Sequence, residues 1–477
     1  MVGLLAIITM LSVSILLGIV PSISLLTVLL SGAAAGFVLL QTGRGYDLLH
    51  PVRVFGFIWC FCLALASLRL VTVLSVWSFE MWVYVFGALI CFTVGFWVAS
   101  RHLARVWGLP KGRVAQEFPT VELLPTGRTL LVALICLVLG IVSLAYQYRA
   151  IGEIPVLARD INEARTTFMA TASQWRHPEF DTLFNKFVIL FGVFCKYAAF
   201  LGTIVLIQKT RKTRFQQIVA WSVTIFGLMG YGSLGGRGFL FEYMVFSLVI
   251  FHYLRRRIRL KEMIVASVLL LLFISFAGYY RTAVGDPTAA YDRAKRISKF
   301  PEGQFWDSIA FGYFSATCPL EVFYRLTQDL PALRRPSAGF LFYSLHRFVP
   351  RENIEELAAL LYTGEMITPT FLGEFYGDFG AMGVFLGPLI LGICYGYVYC
   401  RAKRYRSLYW LCVQGIMVQN LAYFPHVNFF SQNVNWMWDL MNLALLTWVA
   451  RRGILSDFSM HRQHGMGRVA PVLGRSR

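Results

Sequence analysis

The amino-acid sequence predicts an all-α polytopic membrane protein with about twelve transmembrane helices, and composition is the first reason. Hydrophobic residues make up 57% of the 477 residues, and the mean hydropathy is +0.60. Charged residues make up 14%, compared with roughly 25% in soluble proteins. Lipid rather than water is the solvent that suits such a chain. This composition excludes a cytosolic enzyme, and the high hydrophobicity excludes a disordered chain.

The spacing of the apolar runs is the second reason. A membrane helix needs about 20 mostly apolar residues to cross a hydrocarbon core of about 30 Å. Proline, which breaks helices, separates the first two runs at Pro21 and closes the eleventh at Pro425. Since the first run has no basic leader, we expect a retained hairpin rather than a cleaved signal peptide. The predicted spans are 3–20, 22–40, 54–77, 81–100, 129–148, 187–208, 216–234, 238–254, 263–280, 382–400, 408–425 and 433–450.

The basic residues orient these spans. The segments on one side of the membrane contain 26 Lys and Arg against 5 Asp and Glu, and those on the other side contain 16 against 18. Short basic loops stay in the cytoplasm, so we expect both termini to be cytoplasmic. The net charge of +19 therefore reflects orientation in an anionic bilayer and indicates no nucleic-acid partner.

This predicted topology divides the chain into four parts. Most of the residues outside the membrane lie on the outer side. The large outer loop has an apolar face at helical spacing from Phe305 to Leu326, so we expect it to pack on the membrane helices. The parts are 1–280 with nine membrane helices and a periplasmic loop at 149–186, the large periplasmic loop 281–381, 382–450 with the last three helices, and the basic cytoplasmic tail 451–477.

Two arginines are expected at headgroup height on the outer side. Arg237 lies in the glycine-rich turn GYGSLGGRG, and Arg281 follows Tyr280 at the outer end of the ninth span. A guanidinium group at this position can donate two parallel hydrogen bonds to a phosphate group. The alternative for either residue alone is that its side chain simply extends to the interface.

Four ionisable residues fall inside predicted spans, where a charge costs several kcal/mol unless it is paired or hydrated. Glu242 lies about 6 Å below the outer end of its helix and could orient one of the outer arginines. Lys196 is expected near the middle of the bilayer. The alternative for the set is a group of buried structural ion pairs. The four residues are Arg69, Lys196, Glu242 and Asp439.

The segment TFLGEFYGDFGAMG begins at Thr370, where the large loop returns to the membrane. A helical turn would place Glu374 and Asp378 on one face. A carboxylate at a dry boundary can serve as a general base, whereas the alternative is a capped helix start. The outer histidines are scattered and no HExxH or DxD motif occurs, so no metal site is predicted. Downstream, glycines four or five apart indicate close helix packing, at Gly383, Gly387, Gly392 and Gly396.

Three of these features together resemble the Wzy-type O-antigen polymerases, the oligosaccharide repeat-unit polymerases of bacterial inner membranes. They are Gly236-Arg237-Gly238 at an outer turn, the long outer loop that opens with Arg281, and the segment TFLGEFYGDFG. The resemblance covers roughly residues 220–400 and the number of spans.

The resemblance implies a membrane fold related to the class C glycosyltransferases and an inverting, metal-independent glycosyl transfer at the periplasmic face, with no cofactor. An undecaprenyl-pyrophosphate-linked oligosaccharide would be the donor, and a second lipid-linked repeat unit the acceptor. A chain-length regulator and a flippase of the same pathway are implied as partners.

Roles for particular residues also follow from the resemblance. Arg237 and Arg281 would hold the donor pyrophosphate, and Glu374 would be the base for the acceptor hydroxyl. The residues expected to line the substrate site are Asp378, Arg347, Tyr376, Glu242 and Tyr280.

Two other functions stay open. An O-antigen ligase, or another glycosyltransferase that uses lipid-linked sugars, shares the donor and the side of the membrane, and the sequence does not define the acceptor. A secondary transporter or a flippase of lipid-linked glycans would also suit twelve spans with Lys196 and Asp439 inside them. A large outer loop, 281–381, is not what a carrier needs.

Overall fold

The computed structural model describes residues 47–107, 123–158, 161, 164, 191–233, 237–284, 287–329, 370–405, 407–426 and 435–452. Within these ranges the regular secondary structure is α-helical, together with two 3₁₀ turns and one isolated β-bridge. The helices are α1 (Pro51–Ser67), α2 (Phe79–Val106), α3 (Thr126–Ile151), α4 (Phe194–Ile207), α5 (Arg214–Gly232), α6 (Arg237–Leu254), α7 (Leu260–Ala283), α8 (Pro287–Ile297), α9 (Gln304–Asp329), α10 (Phe371–Tyr405), α11 (Leu408–Tyr423) and α12 (Asn435–Arg452).

Several of these helices suit a bilayer. Four are long and apolar enough to cross a membrane, namely Phe79–Val106, Thr126–Arg149, Lys261–Tyr280 and Phe371–Tyr405. Exposed apolar side chains cover their outward surfaces, as at Leu131 and Val138 on α3 and Val265 and Leu269 on α7. Lipid contact explains such surfaces, and the chain is therefore a helical membrane protein over the residues that the structure describes. The first two predicted spans lie outside the described residues, so the number twelve stays a prediction.

The third predicted span is wrong over its second half. Helix α1 ends at Ser67, and Arg69 follows with a φ of 50°, a left-handed conformation that ends a helix. The next residues pair with the start of the large loop through an antiparallel bridge between Val71 and Ser298. The carbonyl of Leu70 accepts a hydrogen bond from the N–H of Lys299 at 2.8 Å. Because the loop satisfies these backbone groups, the helix need not continue, and Arg69 lies in this turn rather than inside a span.

Helices α2 and α10 pack in close contact through glycines on both. A Cβ added at Gly95 would lie 2.1 Å from the carbonyl oxygen of Leu389, and one at Gly392 would lie 2.1 Å from that of Phe92. Gly396 faces the Phe96 carbonyl in the same way. The predicted helix packing is thus confirmed for the last two glycines of the series, where only glycine allows the backbones to approach this closely.

The predicted helix of the large outer loop is confirmed as α9, and it packs on the membrane helices as expected. Gly312 lies against Ser275 of α7. The Tyr313 hydroxyl donates to the carbonyl of Leu65 at the end of α1. Further along, Glu321 accepts hydrogen bonds from Ser75 and Trp77 in the extended segment before α2. Helix α9 therefore joins α7, α1 and the start of α2.

The helix ends define two faces of the molecule. At the basic end, α6 finishes just before the cluster around Arg256, and the last turn of α10 carries the cluster around Arg404. Asp47 accepts from the hydroxyls of Tyr253 and Tyr399 at this end. At the opposite end, which we call the loop end, α6 begins, α7 finishes and α10 begins, and the large loop connects the last two. Helix α11 runs between two hydrophobic cores, one with α1, α2, α9 and α10 and the other with α3, α4, α6 and α12.

Candidate functional site

The predicted carboxylate motif forms the first arm of α10. Thr370 caps this arm, because its Oγ1 accepts from the N–H of Leu372 at 3.2 Å. At Gly380 the backbone adopts φ 57° and ψ −150°, which glycine tolerates, and the helix bends. A Cβ at Gly383 would lie 2.1 Å from the carbonyl oxygen of Phe375, although eight residues of straight helix would separate them by about 12 Å. The first arm is therefore folded back against the second.

Glu374 lies inside this folded arm. Residues 371–377 are buried, and Glu374 itself is 6% exposed, whereas Asp378 one turn later is half-buried. The helical turn places both carboxylates on one face, as predicted. Glu374 is also in the first turn of the helix, where the helix dipole stabilises a negative charge. Gly387 faces the ring of Phe375, so the glycines that were expected to join helices here close the fold within α10.

Tyr376 ties the first arm to α9 and α2. Its hydroxyl donates to the carbonyl of Thr327 on α9 at 3.3 Å. Its ring lies 5.8 Å from that of Tyr84, and the Tyr84 hydroxyl donates to Glu80. Tyr376 therefore holds the first arm of α10 against α9 of the large loop and against α2.

A chain of contacts joins the start of α6, where Arg237 lies, to the same arm. The Tyr423 hydroxyl of α11 donates to the carbonyl of Gly238 at 2.7 Å. The next residue, Phe424, accepts at its carbonyl from the N–H of Phe371 at 3.0 Å, and the two rings stack at 4.5 Å. The backbone of Arg237 thus lies at the same end of the molecule as Glu374. The side chain of Arg237 lies outside the described part of the structure.

Three of the predicted intramembrane charges form one buried ion cluster. The Lys196 ammonium lies 2.8 Å from Asp439 Oδ2 and 3.0 Å from Glu242 Oε2. The Tyr197 hydroxyl donates to Asp439 Oδ1 at 2.6 Å, and Asn442 donates to Tyr197 at 3.3 Å. The geometry of buried ion pairs, the alternative interpretation, therefore holds for three of the four residues. Lys196 was expected near the middle of the bilayer, but α4 begins only at Phe194, so its ammonium reaches the level of Glu242.

The structure describes the remaining predicted site residues only in part. Arg281 is in the last turn of α7, beside Tyr280, which is 65% exposed. The preceding Tyr279 packs its ring on Phe311 of α9 at 5.9 Å. The side chain of Arg281 and the whole of Arg347 lie outside the described residues, so their roles stay predictions.

Sequence reasoning missed two polar features of this end. Glu321 is buried on α9 and accepts from the Ser75 hydroxyl at 2.8 Å and the Trp77 indole at 3.0 Å. Gln419 and Asn420 are buried on α11. The two amides are uncharged and so do not stand out among the ionisable residues of the spans, and the signal that could have found them is their adjacency within the apolar run IMVQNLA. Among the described residues, no group of three His, Cys, Asp or Glu could hold a metal ion.

The comparison with known protein families concerns a part of the chain that contributes to the loop end. A family model described as "Putative O-antigen polymerase" matches residues 316–419. This match supports the resemblance to the O-antigen polymerases. It spans about a fifth of the chain, from the second half of α9 through α10 to most of α11. The match indicates O-antigen polymerase activity in general terms, and so an enzyme of the glycosyltransferase type. No curated protein and no solved structure matches the chain.

Proposed function

We propose that the chain is a polysaccharide polymerase that joins undecaprenyl-pyrophosphate-linked oligosaccharide repeat units into O-antigen or a related surface polysaccharide. The observation that carries the proposal is the family match over residues 316–419, because this segment contains the arm with Glu374. We place the reaction at the loop end, which the distribution of basic residues assigns to the periplasmic face of the inner membrane. Both termini are then cytoplasmic.

The proposed chemistry uses a base and fixed positive charge. Glu374 takes the proton from the acceptor hydroxyl, and general-base catalysis of this kind contributes about 10²- to 10⁴-fold in rate. Arg237 and Arg281 stabilise the pyrophosphate as it leaves, since charge-assisted hydrogen bonds to phosphate are strong. The transfer inverts the anomeric centre and uses no metal. Burial of the first arm supports this assignment of the base, because it keeps the carboxylate away from bulk water.

The test is polymer formation by the purified chain in lipid nanodiscs. With lipid-linked repeat units as the sole substrate, the chain should build ladders of increasing length. Product that appears only when a lipid A-core acceptor is added would identify a ligase instead. Absence of product in both reactions would contradict the proposal.

The buried ion cluster supports a second candidate, a transporter or flippase. Lys196 between Asp439 and Glu242 resembles the ionisable groups that carriers place inside the membrane. Movement of lipid-linked glycan across proteoliposomes that stops when the proton gradient is collapsed would favour this function. Polymer formation that is independent of the gradient would favour the polymerase.

A further inference from the structure

Two adjacent amides on α11 are buried without hydrogen-bond partners. Gln419 is 0% exposed and Asn420 is 1% exposed. The side-chain nitrogen and oxygen of both residues lack a partner among the described residues. A buried amide without a partner costs free energy, and polar side chains within membrane helices normally bond across to a neighbouring helix. Gln414, lower on the same helix, shows the normal case, since it donates to the Tyr253 hydroxyl at 2.7 Å.

The register of α6 against α11 shows what Gln419 faces. Tyr423 contacts Gly238 near the loop end, and Gly415 lies against the ring of Phe246 two turns below. These contacts fix an antiparallel register in which Glu242 lies level with Gln419. Residues four apart share a helix face, so Gln419 lies on the face of α11 that contacts α6. It is therefore beside the ion cluster of Lys196, Glu242 and Asp439.

Asn420 lies on a different face of α11. It is one turn before Phe424, whose carbonyl accepts the N–H of Phe371 at the start of α10. Residues four apart share a face, so Asn420 lies toward the first arm of α10, which carries Glu374. The two amides thus lie between the helix that begins with Arg237 and the arm that carries Glu374.

The chemistry of the amides selects the ligand. Each lacks both a donor for its oxygen and an acceptor for its nitrogen, and a hydroxyl group supplies both. A phosphate oxygen would satisfy the nitrogen alone. The neighbouring cluster also has one ammonium for two carboxyl groups, which disfavours a further anion. We infer that Gln419 and Asn420 bind hydroxyl groups of a sugar in the lipid-linked substrate. The inference rests on the proposed function and places a sugar subsite between α6, α10 and α11.

Access to this subsite requires movement at the loop end, since both amides are enclosed. Tyr423 is half-buried and lies one turn above Gln419 on the same face. The sugar must displace such side chains as it enters, and it replaces the lost contacts with hydrogen bonds to the amides.

The experiment measures binding of two probes to the purified full-length chain in nanodiscs. One probe is the undecaprenyl-pyrophosphate-linked repeat unit from the organism that encodes the protein, and the other is undecaprenyl pyrophosphate without sugar. In Gln419→Leu and Asn420→Leu, Kd for the first probe should rise about tenfold, the equivalent of one net hydrogen bond. Kd for the second probe should stay within about twofold of the wild-type value. The thermal midpoint of both variants should be unchanged or higher, because an unsatisfied polar group is removed.

Gln414→Leu is the matched control. It removes a satisfied amide from the same helix, so it should lower the thermal midpoint and leave both Kd values unchanged. Equal weakening of both probes in the Gln419 and Asn420 variants would place the amides on the pyrophosphate and overturn the inference. Unchanged binding of both probes would mean that internal water satisfies the amides, which overturns it as well. Sugar-dependent binding by a wild-type chain that forms no polymer would support the subsite and contradict the polymerase function.

Discussion

The two ends of the helical bundle both carry buried polar groups, but they use them differently. At the basic end, Asp47 accepts from the N–H of Leu49, from the hydroxyls of Tyr253 and Tyr399, and lies 3.3 Å from His252. At the loop end, Gln419 and Asn420 have no partner among the described residues. The Asp47 carboxylate is fully bonded, as is typical of a group that holds helices together, although the buried Nδ1 of His50 beside it has no partner in the described part of the chain. At the loop end both polar atoms of two adjacent amides lack a partner among the same residues, which is the pattern that indicates a ligand.

The ion cluster at the loop end lies between these extremes. Lys196 pairs with Asp439 and Glu242, so its charge is neutralised, yet two carboxyl groups share one ammonium. The three charges of the ion cluster are thus paired with one another, whereas the two amides have no partner among the described residues. Four predictions test this difference between the ends.

The largest effect is expected at Glu374. Glu374→Gln should lower the rate of polymer formation by about 10²- to 10⁴-fold, because the base is lost while the size of the side chain is kept. The rate is measured from ladder growth in nanodiscs with lipid-linked repeat units. Glu321→Gln is the control, since it changes another buried carboxylate at this end that is bonded to Ser75 and Trp77. The control should lose stability and keep its rate per folded molecule, and equal rates in the two variants would refute the assignment.

The next effect is expected in the ion cluster. Lys196→Met removes the ammonium and leaves Glu242 and Asp439 buried without their cation. Breaking a buried ion pair in this way costs about 3–5 kcal/mol of unfolding free energy. Thermal and denaturant unfolding in detergent would measure the loss. Lys261→Met, at an exposed position of the basic end, should change stability by less than about 0.5 kcal/mol. A Lys196→Met chain as stable as wild type would show that the cluster is not a structural ion pair.

At the basic end, Asp47→Ala should affect stability alone. The variant leaves the hydroxyl groups of Tyr253 and Tyr399 without their acceptor, at a cost of about 1–3 kcal/mol in unfolding free energy. The rate of polymer formation per folded molecule should not change. Asp292→Ala, at an exposed position of the large loop, serves as the control with no expected loss. A drop in rate without a drop in stability would give the basic end a role in the reaction.

The smallest effect is a pH dependence at the basic end. Burial lowers the pKa of His50 to about 3. The negative charge of the neighbouring Asp47 acts in the opposite direction and raises this pKa, but the effect of burial is larger. In the unfolded chain His50 binds a proton below about pH 6.5, whereas in the folded chain it stays neutral until the pH approaches 3. The unfolding free energy is therefore unaffected by His50 above pH 6.5 and falls as the pH drops from there toward 3. The unfolding free energy should fall by about 2 kcal/mol or less between pH 7 and pH 5.

His50→Phe isolates this contribution. The substitution keeps an aromatic ring between Phe96 and Tyr399, which lie 4.8 and 4.7 Å from the imidazole. Unfolding curves of the variant should be flatter over the same pH range than those of wild type. Parallel curves for the two proteins would contradict a neutral, buried His50.

Much of the helical fold could be predicted because apolar runs are long and distinct. Helices α2 and α3 follow the predicted spans 81–100 and 129–148 closely, and α9 follows the periodicity from Phe305 to Leu326. The end of α1 could not be predicted, because residues 68–77 are as apolar as a span. Only their pairing with Ser298 and Glu321 in the distant loop makes an extended course favourable.

The site could be predicted in part for a similar reason. The spacing of Glu374 and Asp378 was enough to place them on one helical face. The fold-back at Gly380 depends on contacts of Phe375 with Gly383 and Gly387, and a glycine-rich sequence does not say which glycine bends. The lack of partners at Gln419 and Asn420 depends on which side chains the neighbouring helices place beside them, so it required the structure.

Photo-crosslinking of substrate tests most directly whether the loop end is the site. A lipid-linked repeat unit with a diazirine on its sugar is bound to the wild-type chain in nanodiscs, irradiated, and located by mass spectrometry of the digested protein. A site at the loop end predicts labelled peptides from the first arm of α10, residues 371–379, and from the end of α11, residues 415–423, with loss of label when unmodified substrate competes. Labelling confined to the basic end around Asp47, or spread over lipid-facing surfaces and unaffected by competition, would contradict it.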